Sequence, residues 1–252
     1  MLHTIYFSPS GTTEKTVRLL AERLGGDVCH HDITLDDRPD YEPMKDDVIL
    51  FAVPVYAGRV PALAAERLAS LKGSGQKTIA VAVYGNRDYD DALLELCDIA
   101  VGQGFDVVAA GAFVAEHCIF PKVATGRPDA ADEVKMDEFA AAVKSAISGG
   151  GSLDLSKVKG KRPYKKAAAV PLHPEVDKKA CNGCGICIDQ CPTNAIDPTD
   201  PHRLDSSRCI SCCRCINVCP ENARRFTGIL YKTFGWKFVK DNKRRLEAEW
   251  FV

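Results

Sequence analysis

The most constraining feature of this 252-residue sequence is a pair of cysteine-rich segments in its last third. Residues 181–195 and 209–223 match cysteine for cysteine at an offset of 28, and each has the spacing C-x2-C-x2-C-x3-C followed by proline. Eight of the twelve cysteines therefore belong to two copies of one small unit. Three cysteines two residues apart fit a tight loop around one face of a metal–sulfur centre, while the fourth points towards the other copy.

This spacing resembles that of two-cluster bacterial-type ferredoxins, and the resemblance covers residues 181–223. It implies two 4Fe-4S clusters, each held by three cysteines of one segment and the fourth cysteine of the other. The implied ligands are Cys181, Cys184, Cys187 and Cys219 for one cluster, and Cys209, Cys212, Cys215 and Cys191 for the other. Cys213 aligns with Gly185 of the first copy, so we expect it to be an inert spare that fills the place of a glycine.

Zinc and disulfides are the alternative uses of so many cysteines. Structural zinc sites usually take paired C-x2-C knuckles separated by a longer spacer, not four close cysteines twice over. Residues 1–13 lack the basic start of an export signal, so we expect a cytoplasmic protein whose thiols stay reduced. No apolar run approaches the roughly 18 residues of a membrane span. Iron–sulfur binding is therefore the favoured interpretation.

The charges divide the chain into two modules. Residues 1–150 carry 14 Lys or Arg and 23 Asp or Glu, a net charge of −9, whereas residues 151–252 carry 19 and 11, a net charge of +8. With the composition, this predicts a first domain, a basic linker, a small α+β ferredoxin-like domain and a basic, aromatic C-terminal extension. The predicted boundaries are 1–150, 151–174, 175–225 and 226–252.

The first 150 residues alternate apolar, β-rich runs with helical patterns, which is typical of a doubly wound α/β sheet. Near-continuous apolar strands are predicted at 3–8, 46–56, 77–85 and 105–115, with a weaker edge strand at 27–34. The first helix is predicted to end at Gly25, and the later ones to cover about 62–71, 89–101 and 131–147. Such a sheet binds its ligand at the carboxyl ends of its strands.

The loop after the first strand, FSPSGTTEKTV at residues 7–17, gathers hydroxyl groups around Gly11 where the first helix opens. Free backbone N–H groups at that point suit a phosphate, whereas a simple helix cap needs only one hydroxyl. The loop resembles the S/T-x-S/T-G-x-T phosphate loop of flavodoxins. The resemblance implies a flavodoxin-like five-stranded parallel sheet that binds FMN, with phosphate contacts from Ser8, Ser10, Gly11, Thr12 and Thr13.

Two further loops, residues 54–61 and 84–91, reach the same edge of the predicted sheet. Each of their tyrosines alone is compatible with ordinary packing. The flavodoxin resemblance places Tyr56 and Tyr89 against the flavin ring, and implies a mobile peptide at Gly58. The cofactor-binding residues expected in these loops are Pro54, Val55, Tyr56, Gly58, Tyr84, Gly85, Asn86 and Tyr89.

Arg59 and Arg87 depart from flavodoxins, which place acidic residues around the flavin. These arginines would favour the anionic reduced flavin or bind an acidic substrate, or else lie solvated in their loops. Residues 117–128, after the fifth strand, are placed to cover the ring or shape a substrate pocket. No G-x-G-x-x-G motif supports a nicotinamide site. Structural roles are expected for the remaining histidines and cysteines that we considered, namely His30, His31, His117, Cys29, Cys97 and Cys118.

As a whole, the chain resembles the ferredoxin–flavodoxin fusion proteins, or ferrodoxins, of anaerobic bacteria and archaea. The resemblance implies FMN, two 4Fe-4S clusters and electron transfer between them, which links one-electron carriers to two-electron chemistry. Three functions are considered: an electron carrier between redox protein partners, a flavin-dependent reductase of a quinone or other small molecule, and a binding module with structural metal. The third is disfavoured because structural metal needs no flavin site.

The sequence leaves catalytic residues unassigned and predicts no nucleic-acid partner. Flavin and clusters could communicate within one chain or across a homodimer. The basic, aromatic extension could lie on an anionic membrane or an acidic partner. We favour its folding back over the acidic first domain, because its aromatic side chains need burial, and therefore do not expect membrane association.

Overall fold

A computed structural model of the chain describes residues 1–36 and 41–252. Its strands are β1 Leu2–Tyr6, β2 Val28–Asp32, β3 Val48–Pro54, β4 Lys77–Tyr84, β5 Asp106–Val114, β6 Glu175–Val176, β7 Arg224–Arg225 and β8 Glu249–Phe251. Six of them form one sheet in the order β2-β1-β3-β4-β5-β8. The first five are parallel and β8 is antiparallel to β5. The order 2-1-3-4-5 is that of the flavodoxin-like doubly wound fold, which confirms the predicted fold class.

Helices cover both faces of this sheet. Their bounds are α1 Thr12–Leu24, α2 Ala62–Ala69, α3 Ala92–Gly102, α4 Ala130–Gly149, α5 Ile186–Asp189, α6 Arg214–Asn217 and α7 Gly228–Asp241. On one face α1 and α4 bury side chains such as Leu20 and Phe139, and on the other α2 and α3 bury Leu68 and Leu93. The strands are therefore buried on both sides, which explains their near-continuous apolar sequences.

Two segments outside residues 1–150 complete this domain. Leu153 and Val158, in the stretch predicted to be a linker with little core of its own, are buried in the core beneath α3. β8, from the C-terminal extension, pairs with β5 at the far edge of the sheet. The extension therefore folds back over the first domain, as favoured from the sequence, and supplies a sixth strand that was not predicted.

The cysteine-rich region has two halves of similar structure. The short helices α5 and α6 begin in corresponding loops, and β6 pairs with β7 across the ends of the region. Gly185 precedes α5 with a φ of 78°, and Cys213 precedes α6 with a φ of 66°. Both residues thus adopt the left-handed conformation that favours glycine, and Cys213 occupies the place of a glycine in the second loop.

The cysteine-rich region and the extension contact the sheet domain at the loops after its strands. The Asn217 side-chain amide in α6 donates to the Ser10 carbonyl oxygen at 2.9 Å. Tyr231 and Phe238 of α7 pack on Phe120, with ring centroids 5.4 and 5.0 Å apart. Within the described ranges, no helix is both long and apolar enough to cross a membrane.

Candidate functional site

The carboxyl ends of the parallel strands open into a pocket of about 360 Å³. Its walls come from six segments: the loop before α1, the loops after β3, β4 and β5, the stretch 167–170 and residues 207–211 of the cysteine-rich region. Of the predicted cofactor residues, the structure brings together Ser10, Thr12, Pro54, Val55, Tyr56, Tyr84 and Gly85. The volume lies within the range of small-molecule and cofactor sites, at its lower end.

The start of α1 offers an anion-binding cradle at one end of this pocket. Gly11 caps the helix with a φ of 83°, and a Cβ added there would meet no atom within 4 Å. The Ser10 and Thr12 hydroxyl oxygens lie 3.0 Å apart beside it. Among the described residues, no acceptor lies within hydrogen-bonding distance of the Thr12 and Thr13 backbone N–H groups. These N–H groups and the helix dipole suit a phosphate.

Two of the residues that were predicted to contact the phosphate, Ser8 and Thr13, do not line the pocket. Ser8 is 2% exposed, and its hydroxyl oxygen accepts a hydrogen bond from the Glu14 backbone N–H at 2.8 Å. The Ser8 hydroxyl therefore accepts from one of the backbone N–H groups of α1 that have no acceptor within the helix. Thr13 is 1% exposed and does not line the pocket. The side chains of Ser8 and Thr13 thus lie outside the pocket lining, and the predicted phosphate contacts of these two residues stay predictions.

The loop after β3 makes a tight turn at the pocket wall. Tyr56 and Arg59 exchange both backbone hydrogen bonds, at 3.0 and 3.1 Å, and the two residues between them, Ala57 and Gly58, have φ values of 52° and 85°. A Cβ on Gly58 would lie 2.0 Å from an Asp90 carboxylate oxygen. Gly58 is therefore enclosed by Asp90, whereas the other three residues of this turn, Tyr56, Ala57 and Arg59, line the pocket. The assignment of a flavin-facing peptide to Gly58 stays a prediction.

Asn86 does not line the pocket, because the C-terminal extension engages its side chain. The residue is 4% exposed, and its side-chain nitrogen donates to the carbonyl oxygens of Asn242 and Arg244 at 3.0 and 2.8 Å. Its side-chain oxygen accepts from the Leu246 backbone N–H at 2.9 Å. The predicted contact between Asn86 and a flavin ring edge is therefore replaced by a structural role in holding the extension.

Tyr89 is likewise used inside the domain. It is 1% exposed, its ring packs on Tyr84 with centroids 5.5 Å apart, and its hydroxyl donates to the Glu249 carboxylate in β8. Burial and this carboxylate raise the pKa of the phenol far above its usual range. Tyr89 is thus a core residue and not an aromatic wall of the pocket, while Tyr56 does line the pocket as predicted.

Both arginines predicted near the flavin are neutralised by carboxylates. Arg59 donates to both Glu95 carboxylate oxygens at 2.7 Å, and its guanidinium stacks on Tyr164, 4.8 Å from the ring centroid. Arg87 pairs with Asp90 and does not line the pocket. Because each charge is already paired, the structure favours an internal role over a direct effect on a flavin or an acidic substrate.

His117 lines the pocket, although the sequence favoured a structural role for it. Its Nδ1 accepts hydrogen bonds from the Ile119 and Phe120 backbone N–H groups, both at 3.2 Å. Burial lowers the pKa of the imidazole to about 4. The ring is therefore neutral at pH 7, with its proton on Nε2. Its position directly after a parallel strand is the signal that could have identified it from the sequence.

The eight repeat cysteines fall into two cavities, as the ferredoxin resemblance implied. The outer cavity is lined by Cys181, Cys184, Cys187 and Cys219, and the inner cavity by Cys191, Cys209, Cys212 and Cys215. All twelve cysteines are free thiols. Each cavity thus takes three cysteines from one copy of the repeat and the fourth from the other copy.

The sulfur spacing in these cavities argues against a single zinc ion. Tetrahedral zinc with Zn–S bonds of 2.3 Å holds its sulfurs about 3.8 Å apart. Among residues 1–36 and 41–252, neither cavity brings three cysteine sulfurs within 4.8 Å of one another. Burial also raises the pKa of the Cys215 thiol to about 12, so thiolates there need a compensating cation. Four thiolates around a centre larger than one ion fit both observations.

Backbone N–H groups donate to the fourth cysteine of each repeat. The Ala195 N–H lies 3.2 Å from the Cys191 sulfur, and the Ala223 N–H lies 3.3 Å from the Cys219 sulfur. These residue pairs are related by the 28-residue offset of the repeat. Such N–H to sulfur bonds stabilise thiolate ligands and are one of the means by which proteins tune iron–sulfur potentials.

The inner cavity and the pocket share a wall. Cys209 and Ile210 line both of them, and Ser207 and Ser211 add to the pocket side. Tyr56 lines the pocket next to this wall. Its pKa is raised well above the usual range by burial and by the neighbouring thiols, of which Cys212 has the largest effect. Tyr56 therefore remains a neutral phenol between the two sites.

Two cysteines outside the repeat pattern meet beside this wall. Cys118 packs against the cluster that contains Cys213, whose thiol donates to the Ser211 carbonyl oxygen at 3.7 Å, and the neighbouring Cys118 thiol and burial raise the pKa of Cys213. Cys213 is 2% exposed, and Cys118 also lines the pocket. Their contact joins the loop after β5 to the second cysteine loop. No sequence pattern indicates this pair, because the two cysteines are 95 positions apart.

Comparison with protein families supports the ferredoxin resemblance of the cysteine-rich region. Residues 174–197 and 202–225 each match the family model described as a 4Fe-4S binding domain. Residues 174–225 form a ferredoxin-type 4Fe-4S domain. Each match contains one complete copy of the cysteine spacing. The chain therefore combines a flavodoxin-like α/β domain with a 4Fe-4S domain, in agreement with the predicted fusion. No curated protein matches the sequence significantly.

Solved structures similar to the chain cover its α/β part. A rubredoxin:oxygen oxidoreductase from Desulfovibrio gigas is 18% identical over 58% of this chain and 37% of its own, with a TM-score of 0.43. A flavodoxin from the domain Archaea is 13% identical over 58% of this chain and 98% of its own, with a TM-score of 0.42. Flavodoxin 2 from Bacillus cereus is 19% identical over 57% and 97%, with a TM-score of 0.41. The chain thus spans little more than a third of the oxidoreductase, and its fold assignment rests on the strand order.

Proposed function

We propose that the protein is an electron-transfer iron–sulfur flavoprotein that carries two 4Fe-4S clusters and one FMN in a single chain. The observation that supports this most strongly is the wall formed by Cys209 and Ile210, which borders both the inner cavity and the pocket. Electrons that reach the inner cysteines are then separated from the pocket by one layer of protein. A bound FMN would accept electrons singly or in pairs.

Residues of this chain would contact FMN at its phosphate and at its flavin ring. The Ser10 and Thr12 hydroxyls and the first N–H groups of α1 would bind the phosphate without a lysine or arginine. Tyr56 and the neutral imidazole of His117 would bound the flavin ring at the wall of the inner cavity. The linker residues 167–170 and the loop after β5 would limit the access of water to the ring.

The dimensions of the pocket favour an electron carrier over a reductase. At about 360 Å³, the pocket is near the lower limit for small-molecule sites. It is also bounded on several sides, by the linker, the loop after β5 and residues 207–211. An enzyme that reduces a quinone would need room for the quinone over the ring as well as for the flavin itself. We therefore place the physiological acceptor outside the chain, as a protein partner.

The first test of this proposal is the cofactor content of the full chain purified without oxygen. We expect about eight iron, eight acid-labile sulfide and one FMN per chain, as two 4Fe-4S clusters and one flavin require. Zinc in place of iron would contradict the cluster assignment. Failure of the iron-loaded protein to bind added FMN would contradict the flavin assignment.

A sharper test of the flavin site uses Thr12→Glu. A carboxylate at the first position of α1 interacts favourably with the positive end of the helix dipole, so the helix should still form. The same carboxylate repels a phosphate in the cradle. We expect the affinity for FMN to fall at least 100-fold while the affinity for riboflavin, which lacks the phosphate, changes little. Glu22→Gln, at the far end of the same helix, is the control that should leave both affinities unchanged. Equal losses for the two flavins would contradict the assigned cradle.

A further inference from the structure

Three side chains on neighbouring strands converge on one face of the sheet, outside the pocket and both cysteine cavities. In the parallel pair of β1 and β2, His3 lies opposite Cys29 and Ile5 lies opposite His31. Because alternate residues of a strand share a face, Cys29 and His31 lie on the same face as His3. One ligand atom from each of the three lies within 4.8 Å of the others. In the described part of the chain, no other three His, Cys, Asp or Glu side chains converge in this way.

A buried carboxylate fixes the orientation of His3. The His3 Nε2 atom lies 3.3 Å from an Asp47 carboxylate oxygen, while its Nδ1 atom lies 3.0 Å from His31 Nε2. Asp47 is 4% exposed and accepts hydrogen bonds from the Met1 ammonium at 2.8 Å and the Met44 backbone N–H at 2.7 Å. The carboxylate therefore keeps the proton of His3 on Nε2 and leaves a lone pair on Nδ1. Carboxylate–histidine pairs of this kind orient the ligands of protein metal sites.

The cluster lies at the edge of the sheet beside an aromatic ring. His3 is 7% exposed, whereas Cys29 and His31 are only partly buried at the edge of the sheet. Tyr41 places its ring nearly perpendicular to both imidazoles, with centroids 5.5 and 5.6 Å away. Among the described residues, an aromatic ring thus walls one side of the cluster. Three protein ligands with an open fourth position are the arrangement in which zinc keeps a water molecule.

We propose that His3, Cys29 and His31 bind a zinc ion that ties the edge strand β2 to β1. Two imidazoles and one thiolate suit zinc, whereas magnesium and calcium prefer oxygen ligands. With Zn–N bonds of 2.0–2.1 Å, two nitrogens of a tetrahedral site lie about 3.4 Å apart, so the two rings separate by a few tenths of an ångström. Binding releases the thiol proton of Cys29 to solvent, and the proton between the two imidazoles moves from Nε2 to Nδ1 of His31, so that both histidines bind as neutral rings.

The position of the site separates it from the proposed electron-transfer path. His3 is five residues before Ser8, which corresponds to roughly 16 Å along an extended strand. β2 is an edge strand that pairs only with β1 in the described sheet. Zinc would therefore act on the attachment of this edge strand and not on the flavin pocket. The proposal does not depend on the cofactors assigned above.

The test uses the full chain with its iron sites filled, freed of adventitious metal by mild chelation. Bound zinc is measured by equilibrium dialysis and metal analysis, with iron counted in the same samples. We expect one zinc per chain in addition to the iron. Cys29→Ser and His31→Ala should each weaken zinc binding at least tenfold, because each removes one of three ligands. Cobalt added in place of zinc should give a thiolate-to-cobalt absorption band that is absent from Cys29→Ser.

His30→Ala provides the matched control, because His30 is the neighbour of both ligands on β2 but faces the other side, where its Nδ1 contacts the Thr4 hydroxyl at 2.6 Å. Zinc affinity should be unchanged in this variant. Unchanged iron and flavin content in all variants would show that they fold. The proposal is overturned if the iron-loaded protein binds no extra zinc. It is equally overturned if the Cys29→Ser/His31→Ala double variant binds zinc as the wild type does.

Discussion

The two cysteine cavities have the same ligand pattern but opposite surroundings. The outer cavity opens to solvent at Cys184, which is exposed, and none of its lining residues borders the pocket. In the inner cavity Cys212 and Cys215 are buried, and Cys209 and Ile210 also line the pocket. A repeated sequence thus yields one cavity that is open to solvent and one that faces the flavodoxin-like domain. The difference gives the proposed electron path a direction through the chain.

The largest expected effect comes from removing each centre in turn. In Cys212→Ala/Cys215→Ala, we expect transfer of electrons from the 4Fe-4S domain to the flavin to slow more than 100-fold, because the only centre next to the pocket is lost. In Cys184→Ala/Cys187→Ala, reduction of the flavin by a small reductant through the inner centre should persist. Stopped-flow absorbance of the flavin measures both. Equal effects of the two double variants would remove the distinction between the cavities.

The next prediction tests whether each cavity takes its fourth cysteine from the other repeat. Cys219 belongs to the second repeat but lines the outer cavity, whereas Cys191 belongs to the first repeat and lines the inner cavity. Cys219→Ala should therefore alter the same EPR signal as Cys184→Ala, and Cys191→Ala the same signal as Cys212→Ala. If each fourth cysteine instead groups with its own repeat, the ligand assignment is wrong.

A pH effect is expected at the pocket, because His117 lines it, whereas no histidine of the described residues lines either cysteine cavity. Burial lowers the pKa of His117 to about 4 from an ordinary value near 6.5. The neutral ring therefore contributes stability above pH 6.5, and this contribution is lost as the pH falls towards 4, up to about 3 kcal/mol. Denaturation of the protein at a series of pH values should show this loss, and His117→Gln should reduce it. An unchanged acid dependence in His117→Gln would exclude His117 as its source.

A smaller effect should distinguish the two cysteine loops. Gly185 and Cys213 occupy equivalent left-handed positions, with φ values of 78° and 66°. Cys213→Gly relieves backbone strain but loses a buried side chain, so we expect a change in the free energy of unfolding within about 1 kcal/mol. Cys213→Val adds a β-branched side chain at positive φ and should cost about 1–2 kcal/mol more. Denaturation of both variants measures the difference, and similar values for the two would contradict the role of backbone conformation.

Features set by local periodicity were predictable from the sequence. The parallel strands, the start of α1 at Gly11 and the grouping of the eight repeat cysteines each follow from short patterns whose spacing has one good structural solution. That Cys213 takes the place of a glycine was also predictable, because aligning the repeats places it opposite Gly185. These features needed no knowledge of which distant segments meet.

Features set by contacts between distant segments were not predictable. Asn86 and Tyr89 lie in the loop where a flavin contact was expected, but the extension about 160 residues later docks there through Leu246 and Glu249. β8 has only three residues and leaves no periodic signal. The cluster of His3, Cys29 and His31 was not predicted, because His3 is brought beside the two β2 residues by the register of another strand.

The central claim is that electrons pass from the 4Fe-4S domain to the flavin within one chain. The most direct measurement is rapid reduction of the clusters in the anoxic, fully loaded protein, with flavin absorbance followed over a tenfold range of protein concentration. We predict a first-order rate constant for flavin reduction that does not change on dilution. A rate that falls in proportion to concentration, or reduced clusters beside a flavin that stays oxidised, would contradict it.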